Sequence, residues 1–199
     1  MKHPTFILAA ALALLLPAAA MARGPAPQAK AAPLPADSIY QLDARMVDQS
    51  GRATALSARR GRPQLVTMFY TSCRYICPLI IDSAFAVERA LTPAERAALG
   101  VTFISMDPKR DYPAALTRVA TRRKVDLSRW TMLRPREGDV RGIAGVLGIR
   151  YRLLADGEFN HTSALVLVDA QGRPLARTEK LGGSPDPEFV AAVKKALAN

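Results

Sequence analysis

Apolar residues along this chain form continuous runs in some segments and recur with helical spacing in others. Three uninterrupted runs, at 65–70, 101–106 and 164–168, are typical of strands buried on both faces. The segment 78–91 instead gathers its apolar residues on one side and its polar residues on the other, which predicts an amphipathic helix. The chain therefore contains at least three core strands, with a helix between the first two.

Weaker patterns continue this alternation of strands and helices to the end of the chain. The remaining predicted elements are a strand at 39–47 with a turn at 48–51, a helix at 112–124 capped by Asp111, a weak strand at 131–133, a helix at 138–147, a hairpin strand at 174–178 and a last helix that starts at Asp186 and Pro187. Strands that alternate with helices and then end in a hairpin and a helix predict a three-layer α/β sandwich.

The first 22 residues have the pattern of a secretory signal peptide. An apolar stretch of 11 residues, Phe6 to Leu16, precedes the cleavage pattern Ala20-Met21-Ala22. This stretch is far shorter than the roughly 20 residues that span a bilayer, although an uncleaved leader that tethers the protein to a membrane is the alternative. We predict a signal peptide at 1–22, a Pro/Ala-rich linker at 23–36, and one domain at 37–199 in the periplasm or another exported, oxidising location.

Composition narrows the chemistry that this domain can perform. Of 199 residues only two are cysteine and two are histidine, which excludes disulfide-dense scaffolds, four-thiolate metal sites and histidine clusters. Lys and Arg number 28 against 17 Asp and Glu, so the formal net charge is +11 and favours an acidic partner surface or association with an anionic membrane surface. We expect no nucleic-acid partner, because the arginines are dispersed and the chain carries an export signal. We expect a monomer.

Two cysteines lie between the first buried strand and the helix that follows it. Cys73 and Cys77 are four residues apart, and Pro78 is predicted to occupy the first helical position. Cys77 then lies at the helix N-terminus, where the partial positive charge favours a thiolate. The pair can close a redox disulfide or bind one metal ion. A purely structural disulfide is disfavoured, because a loop with three intervening residues gains little from cross-linking.

Removal of the leader leaves one histidine, His161, directly before the strand at 164–168. In a parallel sheet this position could bring the imidazole to the edge where the cysteine loop emerges. Two thiolates and one imidazole suit copper, while zinc with a fourth ligand from water or Asp107 is a weaker alternative. Asp107 directly follows the second buried strand. It can act as a turn residue, or it can help to orient a metal ligand by hydrogen bonding.

Three motifs, taken in order, resemble those of the Sco/SenC family, copper chaperones of cytochrome c oxidase assembly with a thioredoxin-like fold. The motifs are Phe69-Tyr70-Thr71-Ser72-Cys73-x-x-x-Cys77-Pro78, Ser105-Met106-Asp107-Pro108-Lys109-Arg110-Asp111-Tyr112-Pro113 and Asn160-His161-Thr162-Ser163. The resemblance implies a thioredoxin-like three-layer sandwich with a central mixed sheet, an added N-terminal hairpin and helices on both faces. It also implies that Cys73, Cys77 and His161 bind one copper ion, as Cu(I) or Cu(II), for delivery to an apo copper enzyme, the copper-bearing subunit of cytochrome c oxidase.

The sequence departs from the family pattern beside these ligands. Arg74 and Tyr75 follow the first cysteine, where many members carry Pro-Asp, and Asn160 precedes the histidine, where many carry Asp. These changes bear on the delivery target more than on the metal, so a branch of the family that serves another copper enzyme, or copper handling in general, is the alternative.

A thiol–disulfide oxidoreductase that reduces cysteines of a copper-site partner is the alternative function. Reductases with a thioredoxin-like fold usually have C-x-x-C and a proline facing the cysteines, whereas this chain has C-x-x-x-C and no proline from Arg136 to Arg173. A peroxidase is only faintly indicated, by Thr71 and Cys73. We therefore expect a metallochaperone rather than an enzyme.

Overall fold

The computed structural model describes residues 33–198. The predicted signal peptide at 1–22 and most of the predicted linker at 23–36 lie outside the described residues. The nine strands are β1 Met46–Asp48, β2 Ala53–Thr54, β3 Gln64–Phe69, β4 Gly100–Ser105, β5 Trp130–Pro135, β6 Tyr151–Leu153, β7 Phe159–His161, β8 Leu165–Val168 and β9 Pro174–Thr178. The five α-helices of this part of the chain are α1 Ile76–Arg89, α2 Pro93–Ala98, α3 Pro113–Arg122, α4 Val140–Val146 and α5 Pro187–Leu197. Within residues 33–198, no helix combines the length and the apolar character needed to cross a bilayer.

Seven of these strands form one mixed sheet in the order β2-β1-β5-β4-β3-β8-β9. The central strands β3, β4 and β5 are parallel, whereas β1 and β2 form an antiparallel hairpin at one edge and β8 and β9 form another at the other edge. Every residue of β3 and of β4 is buried, so both faces of the sheet are covered. The predicted three-layer sandwich with a mixed sheet and an N-terminal hairpin is confirmed.

Aromatic side chains fill the core beside the central strands. The ring of Phe103 stacks on Trp130 at a centroid distance of 5.3 Å and meets the edge of Phe69 at 5.4 Å. Trp130 donates its indole N–H to the carboxylate of Glu88, 3.0 Å away, and the same carboxylate pairs with Arg129. The buried polar groups of α1 and β5 therefore satisfy one another, and α1 is held in place against the sheet.

The strand predicted at 39–47 is wrong over most of its length. Residues Ile39–Gln41 form a 3₁₀ turn, and strand pairing begins only at Met46. The hydroxyl of Ser38 accepts from the backbone N–H of Tyr40, and the N–H of Ile39 donates to the carbonyl of Gly172, 2.9 Å away. Apolar residues are buried here by a capped turn docked on another hairpin, so the burial pattern resembles that of a strand without ladder pairing.

Two elements were not predicted from the sequence. Helix α2 starts at a capping box in which Thr92 and Glu95 satisfy each other's backbone N–H groups, a signal that the spacing of these residues already contained. The hairpin of β6 and β7 forms a separate two-stranded sheet with Tyr151 opposite His161. Its short strands have too few residues for a clear alternation.

Substitution of Gly172 tests how tightly the turn at Ile39–Gln41 packs on the β8–β9 hairpin. Both Gly172 and Gly51 have φ near +82°, but a Cβ at Gly172 would lie 2.5 Å from the Tyr40 ring, while nothing lies within 4 Å at Gly51. We expect Gly51→Ala to lower the free energy of unfolding by about 1 kcal/mol through backbone strain. Gly172→Ala should lower it by roughly 3 kcal/mol, because overpacking adds to the same strain. Chemical denaturation of both variants measures the difference, and equal losses would contradict the tight packing.

Candidate metal centre

The loop between β3 and α1 brings the two thiols together. Helix α1 begins at Ile76, two residues before the predicted start, so Cys77 lies in its first turn. The Cys73 sulfur accepts a hydrogen bond from the backbone N–H of Cys77 at 3.3 Å, and the Cys73 N–H donates to the carbonyl of Tyr70. Both cysteines are free thiols; Cys77 is 3% exposed and Cys73 is half-buried. The Cys73 sulfur thus occupies the position of a helix cap, where partial positive charge stabilises an anion.

The two thiols differ sharply in their protonation. The Cys77 thiol donates a hydrogen bond to the Cys73 sulfur, and this bond lowers the pKa of Cys73 well below its ordinary value, with further lowering by His161. The same bond, together with burial, raises the pKa of Cys77 above its ordinary range. The arrangement therefore favours ionisation of the more accessible sulfur, Cys73, and retention of the proton on the buried sulfur of Cys77.

Antiparallel pairing of β8 with β3 carries the histidine to this loop. In the register, Val66 lies opposite Val166 and Gln64 opposite Val168, so β8 begins beside the end of β3. The hydroxyl of Thr67 donates to the carbonyl of Ala164 at 2.6 Å and extends the contact toward the loop. From the sequence, a parallel arrangement of these strands is expected to bring His161 to the cysteine loop. That expectation is wrong, because parallel strands would place the N-terminus of β8 at the opposite end of the sheet.

The imidazole of His161 is oriented through one nitrogen and leaves the other without a partner. Its Nδ1 lies 3.2 Å from the carbonyl of Thr162 and 3.3 Å from the hydroxyl of Ser163. Its Nε2 is buried and makes no well-formed hydrogen bond with any residue in 33–198. An imidazole with one ring nitrogen within hydrogen-bond distance of a backbone carbonyl, and with the other nitrogen turned away from it, matches the arrangement of metal-binding histidines.

Tyr70 and Glu158 fix the β6–β7 hairpin against the cysteine loop. The Tyr70 hydroxyl donates to the Glu158 carboxylate at 2.7 Å and accepts from the N–H of Phe159 at 3.4 Å. The Tyr70 ring meets the edges of Phe159 and His161 at centroid distances of 5.2 and 5.9 Å. Burial, the Glu158 carboxylate and Cys73 together raise the pKa of Tyr70. No role at the site was predicted for Tyr70 or Glu158 from the sequence. The only sequence signal is that Tyr70 lies within the first of the three motifs.

Asp111 supports the start of the cysteine loop and does not cap helix α3. The helix follows Tyr112 with no side-chain cap, and Pro113 occupies its first turn. The fully buried carboxylate of Asp111 instead accepts from the N–H of Thr71 at 3.1 Å, from the Thr71 hydroxyl, and from the Ser105 hydroxyl at 2.6 Å. One buried donor on Ser105 and two partly buried donors on Thr71 need an acceptor, and they outweigh a helix end that proline already satisfies. Burial raises the pKa of Asp111 despite these bonds.

Asp107, predicted to support the metal ligands, lies at the end of β4 with its carboxylate paired to Arg110. It is buried, and its backbone N–H donates to the Ser105 hydroxyl at 2.9 Å. The Ser105 hydroxyl also donates to the carboxylate of Asp111, and the negative charge of Asp111 contributes to the raised pKa of Cys77. The role of Asp107 in orienting a metal ligand stays a prediction.

Loss of the Asp111 carboxylate should destabilise the fold through the cysteine loop. We expect Asp111→Ala to lower the free energy of unfolding at pH 7 by about 2 kcal/mol, because buried donors on Thr71 and Ser105 lose their acceptor. Asp43→Ala removes an exposed carboxylate from the same domain and should change stability little. Urea denaturation of the two variants and the parent checks this, and a loss no larger than that of Asp43→Ala would remove Asp111 from this role.

The three predicted ligands are neighbours without forming a closed coordination shell. The imidazole lies close enough to Cys73 to lower the pKa of its thiol, and both sulfurs interact directly. Even so, no three His, Cys, Asp or Glu side chains among residues 33–198 are arranged to hold a metal ion. A metal ion shared by these three residues would need side-chain movements that bring Nε2 and the two sulfurs around one point. Two soft sulfurs with one imidazole favour copper over harder metals.

Comparison with known proteins gives a family match over most of the chain. The family model described as SCO1/SenC matches residues 36–198. A SCO2-like protein of Rickettsia felis is 27% identical over 139 residues, which cover 67% of this chain and just under two thirds, 66%, of that relative.

Solved Sco structures share the fold. Bradyrhizobium japonicum ScoI, solved with copper bound, superposes with a TM-score of 0.64 at 23% identity over 77% of this chain and 96% of its own. BsSco, described as a member of the Sco family of cytochrome c oxidase assembly proteins and as having a disulfide switch, gives a TM-score of 0.65 at 22% identity over 80% of this chain and 94% of its own. The thioredoxin-like fold that the motifs implied is confirmed.

Proposed function

This chain belongs to the SCO1/SenC family, and from that membership and the site geometry we propose that it binds one copper ion and passes it to an apo copper enzyme. Cys73, Cys77 and His161 are the ligands in this proposal. A copper-bound relative, ScoI of Bradyrhizobium japonicum, supports the choice of metal. The donor set of this chain supports it independently, because thiolates select Cu(I) and imidazole accepts either copper state.

One observation carries the proposal: the unpartnered Nε2 of His161 beside the thiol pair. A buried nitrogen with no hydrogen bond costs free energy, so its persistence here calls for a ligand. The contacts of Nδ1 with Thr162 and Ser163 orient the ring and leave Nε2 as the nitrogen that an ion can reach. Tyr70 and Glu158 hold the hairpin that carries this ring against the cysteine loop.

The asymmetry of the thiols suits uptake and release of the ion. Cys73 has the lowered pKa and is the more accessible of the two sulfurs, so it is the first ligand that an incoming ion meets. Cys77 releases its proton when it binds, since a metal-bound cysteine is a thiolate. Release to a partner then runs by ligand exchange at the exposed side, with Cys73 the last sulfur to leave.

We propose the copper centre of cytochrome c oxidase as the acceptor and the periplasm, or an equivalent exported compartment, as the location. The motifs shared with the family and the name given to the relative BsSco support the acceptor. The sequence pattern of residues 1–22 supports the location.

Anaerobic titration of the reduced protein with Cu(I), followed by X-ray absorption, tests the proposal. We expect one copper per chain with two sulfur ligands and one nitrogen ligand. A saturated complex that lacks nitrogen, or that needs two chains per ion, would contradict the site.

Thiol–disulfide exchange is the second candidate, favoured by the thiolate at Cys73. In this reaction Cys73 attacks one sulfur of a partner disulfide and releases the other as a thiolate. The Cys77 sulfur, after losing its proton, then displaces the partner and closes a Cys73–Cys77 disulfide. The partner gains two electrons and the pair loses two. Reduction of an insulin disulfide at thioredoxin-like rates, unchanged in His161→Ala, would favour this reaction over copper transfer.

A further inference from the structure

A cavity of about 480 Å³ opens beside the thiols, between the cysteine loop and the C-terminal end of α3. Cys73 and Cys77 form part of its wall, and three arginines, Arg74, Arg122 and Arg123, form another part. The proposed copper site therefore adjoins a cationic cavity.

Two of these arginines carry unbalanced charge. Arg123 pairs with Asp82 of α1 and approaches the carbonyl of Pro78, so this pair is close to neutral. Arg74 and Arg122 are exposed, and neither forms a hydrogen bond or ion pair with another residue of the described chain. No acidic residue lines the cavity within the same range. Its wall therefore presents about two unpaired positive charges.

Two large apolar side chains at the start of α1 are exposed. Tyr75 is 84% exposed and Leu79 is 43% exposed, one helical turn apart at the start of the helix. Tyr75 follows Arg74 directly and lines a second cavity with Cys73 and with Glu158, whose carboxylate accepts the hydrogen bond from Tyr70. A large exposed aromatic ring beside arginines is the composition of interface hot spots.

We propose that Arg74, Arg122, Tyr75 and Leu79 form a docking surface for an acidic segment that flanks the metal ligands of the copper-accepting protein. This inference rests on the proposed copper transfer, because ligand exchange needs the acceptor to approach Cys73 from its exposed side. The acceptor's carboxylates face the two arginines, and an apolar part of the acceptor covers Tyr75. Charge complementarity selects this partner over basic ones, which the arginines repel.

Two synthetic peptides with the same C-x-x-x-C copper-binding core, flanked by either three glutamates or three lysines, test the surface. Binding of the copper-free peptides to the full chain is measured by fluorescence anisotropy, and copper transfer is measured by stopped flow. At low ionic strength we expect the glutamate peptide to bind and accept copper at least tenfold better. The difference should shrink as salt is added.

The double variant Arg74→Glu/Arg122→Glu should abolish or reverse this preference. The double variant Arg136→Glu/Arg141→Glu, at two exposed arginines away from the cavity, changes the net charge by the same four units, and as the matched control it should keep the preference. Equal binding of both peptides, a preference that survives in Arg74→Glu/Arg122→Glu, or an equal loss in Arg136→Glu/Arg141→Glu would each overturn the docking surface. Unchanged thermal unfolding of the variants shows that they are folded.

The two readouts separate this inference from the copper proposal. Peptide binding needs no copper, so a chain that fails to take up Cu(I) still reports on the docking surface. A chain that loads and transfers copper without discriminating between the peptides overturns the surface alone. Binding to phosphatidylglycerol vesicles that Arg74→Glu/Arg122→Glu loses, with the peptide preference unchanged, would assign the arginines to a membrane surface and overturn the proposal.

Discussion

His161→Ala is expected to weaken Cu(I) binding roughly 100-fold while leaving the fold intact. Loss of a neighbour that only orients a metal ligand costs about 10- to 100-fold in affinity, so loss of a direct ligand should reach at least the upper end. The alanine variant also removes an unsatisfied buried nitrogen, which favours a stable fold. Competition with a Cu(I) chelator under anaerobic conditions gives the affinity, and X-ray absorption should show the nitrogen contribution lost.

Asn160→Ala provides the matched control for this prediction. Asn160 precedes the histidine on β7, but its side chain is exposed and its backbone partner is Arg152. This variant should bind copper as the parent does. An unchanged affinity in His161→Ala, or an equal loss in both variants, would mean that the imidazole is not a ligand and that the copper site consists of sulfur alone.

Cys77→Ala is expected to slow alkylation of Cys73 at pH 6 by tens-fold. The Cys77 thiol lowers the pKa of Cys73 by donating a hydrogen bond to its thiolate. An ordinary thiol with a pKa of about 8.5 is less than about 1% thiolate at pH 6, whereas the parent Cys73 should remain largely ionised. In the parent, reactivity persists until the pH falls through the lowered pKa. In the variant it is lost at a higher pH, because the pKa moves back toward its ordinary value.

Mass spectrometry after timed exposure to iodoacetamide measures this profile in the reduced protein. Cys77→Ser keeps a hydroxyl donor and should retain part of the reactivity at pH 6, which separates the hydrogen bond from the loss of the second sulfur. Identical pH profiles for the parent and Cys77→Ala would show that the helix N-terminus and His161 alone control the Cys73 thiolate.

Much of the fold was predictable because the central strands are buried along their whole length, and a continuous run of apolar residues indicates such a strand. The runs at 65–70 and 101–106 became β3 and β4 with an offset of one residue, and the last helix begins at Pro187 after the Asp186 cap. The prediction of a strand at 39–47 was wrong because the apolar residues at its start are buried in a turn. The short β6–β7 hairpin was not visible, since three-residue strands contain too little pattern.

The candidate ligands could be proposed from the sequence, but the hydrogen bonds that surround them could not. Donor chemistry and motif spacing identified Cys73, Cys77 and His161 before any geometry was known. The acceptor role of Asp111 was missed, since a carboxylate before a helix matches a cap equally well in sequence. The bond from Tyr70 to Glu158 joins residues 88 positions apart and has no local signature.

The sequence by itself determined the available donors, the strand–loop–helix setting of the cysteines and the layered α/β class, because these depend on residue type and short-range periodicity. Only the tertiary structure decided that β8 runs antiparallel to β3, that His161 faces Cys73, and that two unpaired arginines border the thiols. Those features depend on which distant segments pack together and in which direction. That choice depends on the balance of burial and hydrogen bonding over the whole domain, so no local segment encodes it.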